Sequence, residues 1–219
     1  MNNTNIFFIK SSEFKKYLDE KTINYFLNGN NFKSQKRIEQ YCLGRFLINY
    51  VLKNFYAIDD IELIIENNKP CLKNKKIEFS LSHSENIVLV AFSKNPIGAD
   101  IEIIKNRNFK ALISYYNLKL QDIDAELFYR LWTRYEAFIK IQDRPNTELT
   151  FKLLDKYMVT LCTKENTDKE KAINLFEIKL TNKISSLLNL DKNDCSISEI
   201  NIYKSDKTKV FDELELKIK

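Results

Sequence analysis

The sequence is poor in several residue types that metal sites, turns and active sites commonly use. Its 219 residues include one His, one Trp, three Gly and three Pro. The four cysteines (Cys42, Cys71, Cys162 and Cys195) have no C-x-x-C spacing, so neither a zinc site nor a disulfide framework is indicated. No apolar run approaches the roughly 20 residues of a membrane span, and the N-terminal segment does not resemble a signal peptide. We therefore expect a cytoplasmic protein with reduced thiols and no membrane partner.

Charge of neither sign is concentrated along the chain. The net charge is +5, from 35 Lys and Arg against 30 Asp and Glu. A nucleic-acid-binding protein more often carries a basic stripe interleaved with exposed aromatic residues, so we expect no nucleic-acid partner. The modest positive balance fits an acidic protein partner or a polyphosphate ligand, and it fits background composition equally well.

The scarce residues cluster in a few short segments. His83 lies in FSLSHS, Gly98 in PIGADIE and Trp132 in WTRYEAFIK. A composition drift towards Lys, Asn and Ile would erode His, Gly and Trp wherever they can be spared. Their grouping beside acidic residues therefore indicates a functional site.

Helical periodicity appears in three regions. Residues 12–29 and 34–55 have apolar positions at helical spacing, and a third helix is predicted to begin after Asp124 as its N-cap. The apolar stripe of this third helix is predicted to be buried; it comprises Leu127, Phe128, Leu131, Trp132, Tyr135, Phe138 and Ile139. Trp132 is interpreted as a core residue.

Alternating or continuous apolar runs predict strands in both halves of the chain. The predicted strands are IELIIE, IEFSLS, IVLVAFS, PIGADIEII, YMVTLCT, INLFEIKL, SISEINIYK and ELELKIK, with SHSEN as the turn of a hairpin and NKISSLLNL as a further helical segment. The order of elements predicts an α+β fold of two similar α/β halves, residues 1–105 and 106–219.

Two carboxylates stand two residues apart on one predicted strand. Asp100 and Glu102 share a face with Cα atoms roughly 6.5 to 7 Å apart, close enough to bind one hard cation. Glu136 is the candidate third ligand, because it lies on an otherwise apolar helix that must dock on the sheet. Such a set suits Mg²⁺ on a diphosphate, although D-x-E is also common on solvated strands. Gly98, on the same face, favours close approach of a ligand over a simple bulge.

Several basic residues accompany these acids. Lys140 follows Glu136 by one helical turn and can neutralise a transferring phosphoryl group, or form an ordinary helix ion pair. His83 is either a phosphate or base ligand or a satisfied polar residue. Arg37 and Arg45, about 80° apart around one helix, either converge on a phosphate or remain solvated.

Four sequence blocks occur in an order that resembles the 4'-phosphopantetheinyl transferase superfamily, in particular its larger monomeric type built from two halves. The blocks are Asn68-Lys69-Pro70, FSLSHS, GADIE and WTRYEAFIK, and QYCLGRFL resembles an arginine-bearing helix of the family. The resemblance covers roughly residues 35 to 140. It implies a monomer whose halves are related by a pseudo-twofold axis, with the site at their interface.

The resemblance also implies a reaction and its metal ligands. Such enzymes use coenzyme A and Mg²⁺ to transfer the phosphopantetheine arm to a serine of an acyl or peptidyl carrier protein, releasing adenosine 3',5'-bisphosphate. By matching positions, Asp100, Glu102 and Glu136 would hold Mg²⁺. Glu136 would also receive the serine proton, and Lys140 would contact the transferred phosphate.

The same matching assigns a coenzyme A site. His83 would contact the 3'-phosphate with help from Arg45, while Lys69 and Pro70 would line the nucleotide. The chain departs from the family at Tyr135, where a Lys is usual, near Leu120, where Asp122 is the nearest acid, and in the Gly-free segment 141–149. These departures motivate an alternative, a non-catalytic module that binds a carrier protein or coenzyme A. A weaker alternative is an Mg²⁺-dependent nuclease using Asp100 and Glu102.

Overall fold

Helices and strands both contribute to the fold, as the sequence predicts. The computed structural model describes residues 4–109, 124–164, 173–181, 187–189 and 193–200. Its helices are α1 (Ser11–Phe14), α2 (Glu20–Leu27), α3 (Gln35–Asn54) and α4 (Ala125–Ile141), with short 3-10 turns at Lys15–Tyr17 and Leu187–Asn189. Its strands are β1 (Asn5–Lys10), β2 (Leu63–Glu66), β3 (Lys69–Leu72), β4 (Glu78–Ser84), β5 (Ile87–Ser93), β6 (Ile97–Ile103), β7 (Thr147–Leu153), β8 (Tyr157–Thr163), β9 (Asn174–Leu180) and β10 (Cys195–Ile200).

A five-stranded sheet forms the centre of the molecule. Its strand order is β10-β9-β1-β5-β4, in which β1 pairs antiparallel with β5 and parallel with β9. Phe7 and Ile9 of β1 pack on the α3 side of the sheet, while Ile6 and Phe8 pack on its other side. Because both faces are covered, residues 6–9 of β1 are all apolar and lack the alternation that predicts a half-buried strand. No strand is predicted over residues 5–10, although the similar continuous apolar run of β5 is predicted as one.

A second sheet lies against the first. It has the order β6-β8-β7, with antiparallel pairing throughout. Ile97, Ala99 and Ile101 of β6 pack into the core between the two sheets. Asp100 and Glu102 lie on the opposite face of β6, which confirms that the two carboxylates share one face. The layers thus run α3, five-stranded sheet, three-stranded sheet, α4.

Helix α4 is capped as predicted but is rotated relative to the prediction. Oδ1 of Asp124 accepts the backbone N–H of Leu127 at 2.7 Å. Thr133 and Ala137 are fully buried, whereas Phe138 and Ile139 are 49% and 48% exposed. The predicted buried stripe is therefore wrong at these last two positions, since α4 turns Ala137 and Ile141 towards the sheet in their place.

Trp132 lies at the margin of a small hydrophobic cluster on the same helix. It is only partly buried and stacks on Phe128 with a ring-centroid separation of 6.3 Å. Its cluster also includes Tyr129 and Met158. Trp132 is thus a partly buried packing residue at the edge of this cluster and not a fully buried core residue.

The close helix approach is centred on Gly98. A Cβ atom at this position would lie 2.0 Å from the carbonyl oxygen of Ala137 and 2.6 Å from the backbone nitrogen of Ile141. The prediction that Gly98 makes room for a ligand is therefore wrong. The helix backbone fills that space, as at other glycines that allow a helix to pack directly on a strand.

Sheet pairing crosses the predicted boundary between residues 105 and 106. Strand β6 pairs with β8, and β9 pairs with β1. The two-half division and its pseudo-twofold axis stay predictions. The predictions for Leu120, Asp122 and the segment ELELKIK concern residues outside the described part of the chain. In the parts of the chain that the structure describes, every helix is too short or too polar to cross a membrane.

Candidate active site

Two strand edges meet at the candidate site. Strand β4 is an edge of the five-stranded sheet, and β6 is an edge of the three-stranded sheet. Serine side chains of β4 join them, and each hydroxyl oxygen accepts a backbone N–H group of β6: Ser80 from Ala99 at 2.9 Å, Ser82 from Ile101 at 3.4 Å and Ser84 from Ile103 at 2.9 Å. These backbone N–H groups at the edge of β6 therefore have hydrogen-bond partners, although β4 and β6 belong to different sheets.

Two of these serines also bind the predicted metal ligands. The hydroxyl of Ser82 donates to Oδ1 of Asp100 at 2.7 Å, and that of Ser84 donates to Oε2 of Glu102 at 2.8 Å. Asp100 is 5% exposed, and its Oδ2 atom is buried without a hydrogen-bond partner among the described residues. A buried carboxylate oxygen with an unused acceptor site fits a hard cation such as Mg²⁺.

Lys140 reaches from α4 into the same cluster. Its ammonium group donates to Oδ1 of Asp100 at 2.6 Å, to the hydroxyl of Ser82 at 3.1 Å and to the carbonyl of Ala99 at 3.1 Å. These bonds use all three of its protons. Within the described chain, Asp100 is the one carboxylate within ion-pair distance of Lys140, so the simple helix pair with Glu136 does not form.

The remaining two acids belong to the same electrostatic cluster. Burial raises the pKa of Glu136, the charge of Asp100 raises it further, and Lys140 partly offsets both effects. Burial also raises the pKa of Glu102, against the hydrogen bond from Ser84. The described residues contain no group of three His, Cys, Asp or Glu side chains arranged to hold a metal. Among these acids, Asp100 therefore fits Mg²⁺ best. Lys140 binds its Oδ1 atom, and its Oδ2 atom keeps an unused acceptor site among the described residues.

His83 lies on strand β4, on the side away from its serines. The predicted turn at SHSEN begins too early, because β4 continues through Ser84 and pairs His83 with Val88. The imidazole is exposed, yet neighbouring protein atoms desolvate part of it and lower its pKa, and Lys140 and Arg37 lower it further. His83 thus stands in a positive field, which suits binding of a phosphate.

The two helix arginines have different surroundings. Arg37, in the first turn of α3, contributes to the field at His83. Arg45 places its guanidinium over the ring of Tyr41 at 5.1 Å, and its Nη1 atom is buried without a hydrogen-bond partner among the described residues. The structure brings Arg37 into electrostatic contact with His83; the pairing of Arg45 with His83 stays a prediction.

The hairpin of β2 and β3 carries Lys69 and Pro70 to the site. Lys69 Nζ donates to the carbonyl of Ile97 at 2.7 Å, and burial lowers the pKa of Lys69. At the hairpin turn, Asn67 exchanges two hydrogen bonds with Gln142, which follows α4, at 3.2 and 3.1 Å. These contacts fix the hairpin between the start of β6 and the end of α4.

Sequence reasoning missed two sets of contacts. The alternating serines of FSLSHS are the visible signal for the bonds between β4 and β6. Glu85, in the following turn, forms ion pairs with Lys36 and Lys105, whose hydrogen bonds lower its pKa to about 2. Glu85 therefore connects α3 to the chain after β6 at the rim of the site.

Comparison with curated proteins identifies several relatives over part of the chain. The 4'-phosphopantetheinyl transferase Sfp of Bacillus subtilis strain 168 is 34% identical over 110 residues, which cover 45% of this chain and 49% of that protein. The transferase psf-1 of Bacillus pumilus is 33% identical over 45% of this chain and 48% of its own length. The transferase AcpT of Escherichia coli K12 is 32% identical over 48% and 57% respectively.

The matches span about half the length of these relatives. No protein-family model matches the chain. The relatives share the superfamily that the sequence motifs indicate, and the predicted resemblance is confirmed over the matched part of the chain.

Proposed function

We propose that this chain transfers the 4'-phosphopantetheine arm of coenzyme A to a serine of an acyl or peptidyl carrier protein, with Mg²⁺ as cofactor. The observation that carries the proposal is the cluster of Asp100, Glu102, Glu136 and Lys140 where β4, β6 and α4 meet. The names of the matched relatives support the same enzyme class.

The proposed reaction is a displacement at phosphorus. The carrier serine oxygen bonds to the phosphorus that bears the pantetheine arm, while the bond from that phosphorus to the bridging diphosphate oxygen breaks. Adenosine 3',5'-bisphosphate leaves. Mg²⁺, held by Asp100, Glu102 and Glu136, would neutralise charge on the diphosphate. Glu136 receives the serine proton, a role that suits a carboxylate whose pKa is raised above its ordinary value by burial and by the charge of Asp100.

Basic residues bind the phosphates in this proposal. Lys140 contacts the phosphate being transferred and stabilises its developing charge. His83 binds the 3'-phosphate with Arg45, and the positive field of Arg37 at His83 favours the same anion. Lys69 and Pro70 line the nucleotide end; the bond from Lys69 to the carbonyl of Ile97 keeps Lys69 beside β6.

Intact-mass spectrometry of carrier proteins tests the proposal. Purified protein is incubated with coenzyme A, Mg²⁺ and a panel of apo carrier proteins, each beside a variant whose acceptor serine is replaced by Ala. The proposal predicts a phosphopantetheine mass increase in at least one carrier and none in its Ala variant. An unchanged mass across the whole panel would reject it.

A second candidate function is a non-catalytic module that binds coenzyme A or a carrier protein. It is favoured by the three bonds that already engage Lys140 within the protein. Saturable binding of coenzyme A in calorimetry, without any carrier modification, would select this module over the transferase.

A further inference from the structure

The three serines of β4 form a ladder of side-chain hydrogen bonds to β6, and they differ in the acceptor to which each hydroxyl donates its proton. This serine ladder comprises Ser80, Ser82 and Ser84, all of them buried, and each hydroxyl accepts one N–H group of β6. Ser82 and Ser84 donate to carboxylates at 2.7 and 2.8 Å. Ser80 donates only to the carbonyl of Ala99, at a longer 3.5 Å.

The direction of each hydrogen bond is set by the chemistry of the hydroxyl group. A serine hydroxyl has a single proton and two acceptor sites. Because the oxygen of Ser84 already accepts the N–H of Ile103, its proton is directed elsewhere, and the nearby acceptor is Glu102. Accepting one hydrogen bond strengthens the bond that the same hydroxyl donates. The strand backbone therefore orients the hydroxyl, and the hydroxyl orients the carboxylate.

We propose that Ser84 and Ser82 are positioning residues that hold the Glu102 and Asp100 carboxylates in the orientation needed to bind a divalent cation. The proposal rests on the proposed function in assigning those carboxylates to Mg²⁺. Each serine occupies one oxygen of its carboxylate, and at Asp100 the other oxygen remains buried with its acceptor site unused among the described residues.

Ser80 provides the matched control for a purely structural role. Its substitution by Ala removes the same kind of N–H bond between β4 and β6 from an equally buried site, but it removes no bond to a carboxylate. If the ladder only joins the two sheets, Ser80→Ala and Ser84→Ala should behave alike. Ser84 is the better test position than Ser82, because Ser82 also accepts a bond from Lys140.

The experiment measures Mn²⁺ binding to the full chain by electron paramagnetic resonance, with and without coenzyme A, beside thermal unfolding of each variant. Ser84→Ala is expected to weaken Mn²⁺ binding by about 10- to 100-fold, the usual effect of removing an outer hydrogen bond to a metal ligand. Ser80→Ala is expected to lower the unfolding temperature while leaving Mn²⁺ affinity near that of the unmodified chain. Ser84→Thr, which retains a hydroxyl, should restore Mn²⁺ affinity.

Three results would overturn the proposal: Mn²⁺ binding of Ser84→Ala equal to that of the unmodified chain, equal losses in Ser84→Ala and Ser80→Ala, or no Mn²⁺ binding by the unmodified chain even with coenzyme A. If Ser84→Ala does not fold, Ser84→Cys replaces it, with the same expected loss. Carrier modification by the unmodified chain, combined with full Mn²⁺ affinity in Ser84→Ala, would reject only the positioning role of the serines and leave the transferase function standing. Weakened Mn²⁺ binding in Ser84→Ala without any carrier modification would reject the transferase function alone.

Discussion

The ammonium group of Lys140 lies 2.6 Å from Oδ1 of Asp100 and joins helix α4 to strand β6. The pair is largely enclosed, with 6% of the Asp100 side chain and 26% of the Lys140 side chain exposed. One contact therefore serves two purposes: it fixes the helix that bears Glu136, and it balances the charge of the most buried carboxylate in the cluster.

Replacing Lys140 by Met should destabilise the protein, because it leaves the buried Asp100 carboxylate without its cation. We expect the free energy of unfolding to fall by about 3 kcal/mol, the lower end for breaking a buried pair, since Lys140 is partly solvated. Urea denaturation measures the change. The double variant Asp100→Asn with Lys140→Met should recover part of the loss; a double variant less stable than Lys140→Met would contradict this account.

Replacing Gly98 by Ala should separate α4 from β6. The new methyl group would overlap backbone atoms of Ala137 and Ile141, which cannot move independently of the helix. We expect a loss of roughly 1–3 kcal/mol in unfolding free energy, typical of overpacking. Gly44→Ala is the matched control, because its methyl group meets only the flexible Leu81 side chain at 3.0 Å and gains helix propensity. Thermal unfolding that ranks Gly44→Ala below Gly98→Ala would refute the packing argument.

His83 is the only histidine, so its proton resonances report on the site without overlap. In an NMR pH titration, the pKa of His83 should lie below its ordinary value of 6.5, because of desolvation and the charges of Lys140 and Arg37. Lys140→Met and Arg37→Ala should each raise this pKa, the former by more. Arg45→Ala should leave it unchanged, and the reverse pattern for the two arginines would show that Arg45 is the neighbour of His83.

Glu136→Gln should stabilise the protein at neutral pH in buffer containing a chelator. Since the folded-state pKa of Glu136 is raised above its ordinary 4.5, the folded state binds more protons in that window, and its stability falls as pH rises. The gain from Glu136→Gln should therefore be largest above the raised pKa and vanish below pH 4.5. Unfolding temperatures across pH 4 to 8 measure it; a gain that is independent of pH would contradict the assignment.

Glu85→Gln provides a control, because its effect on stability should depend on pH in the opposite direction to that of Glu136→Gln. The pKa of Glu85 is lowered to about 2, so its ion pairs stabilise the fold above pH 4.5 and are lost as pH falls towards 2. The variant should be slightly less stable than the unmodified chain at pH 7, and the difference should disappear as pH falls through 2. Because Glu85 is exposed, added salt should reduce the difference.

Periodicity predicted the elements that frame the site, but it could not predict how α4 is rotated. The spacing of apolar residues marked Phe138 and Ile139 as buried, because the pattern assumes that large side chains face the core. The actual contact is governed by backbone proximity at Gly98, which selects Ala137 and Thr133 instead. Such a contact depends on the distance between two elements, and a single sequence does not contain that distance.

The acidic pair on β6 was predictable because a strand has a fixed period of two. The partners of that pair were not, since Ser82 and Ser84 belong to a different sheet. Likewise, spacing along α4 favoured a Glu136–Lys140 ion pair, whereas the tertiary fold pairs Lys140 with Asp100. Residue types indicated the chemistry of the site, and sheet topology determined which residues interact.

Carrier modification by the unmodified chain and by Glu136→Gln can be compared by intact-mass analysis with coenzyme A and Mg²⁺, and the comparison decides whether this site performs the transfer. The variant is expected to be at least as stable at neutral pH, so lost activity would not reflect unfolding. We expect a phosphopantetheine mass increase with the unmodified chain and a rate at least about 100-fold lower with Glu136→Gln. No mass increase with the unmodified chain on any carrier, or equal rates for the two proteins, would contradict it.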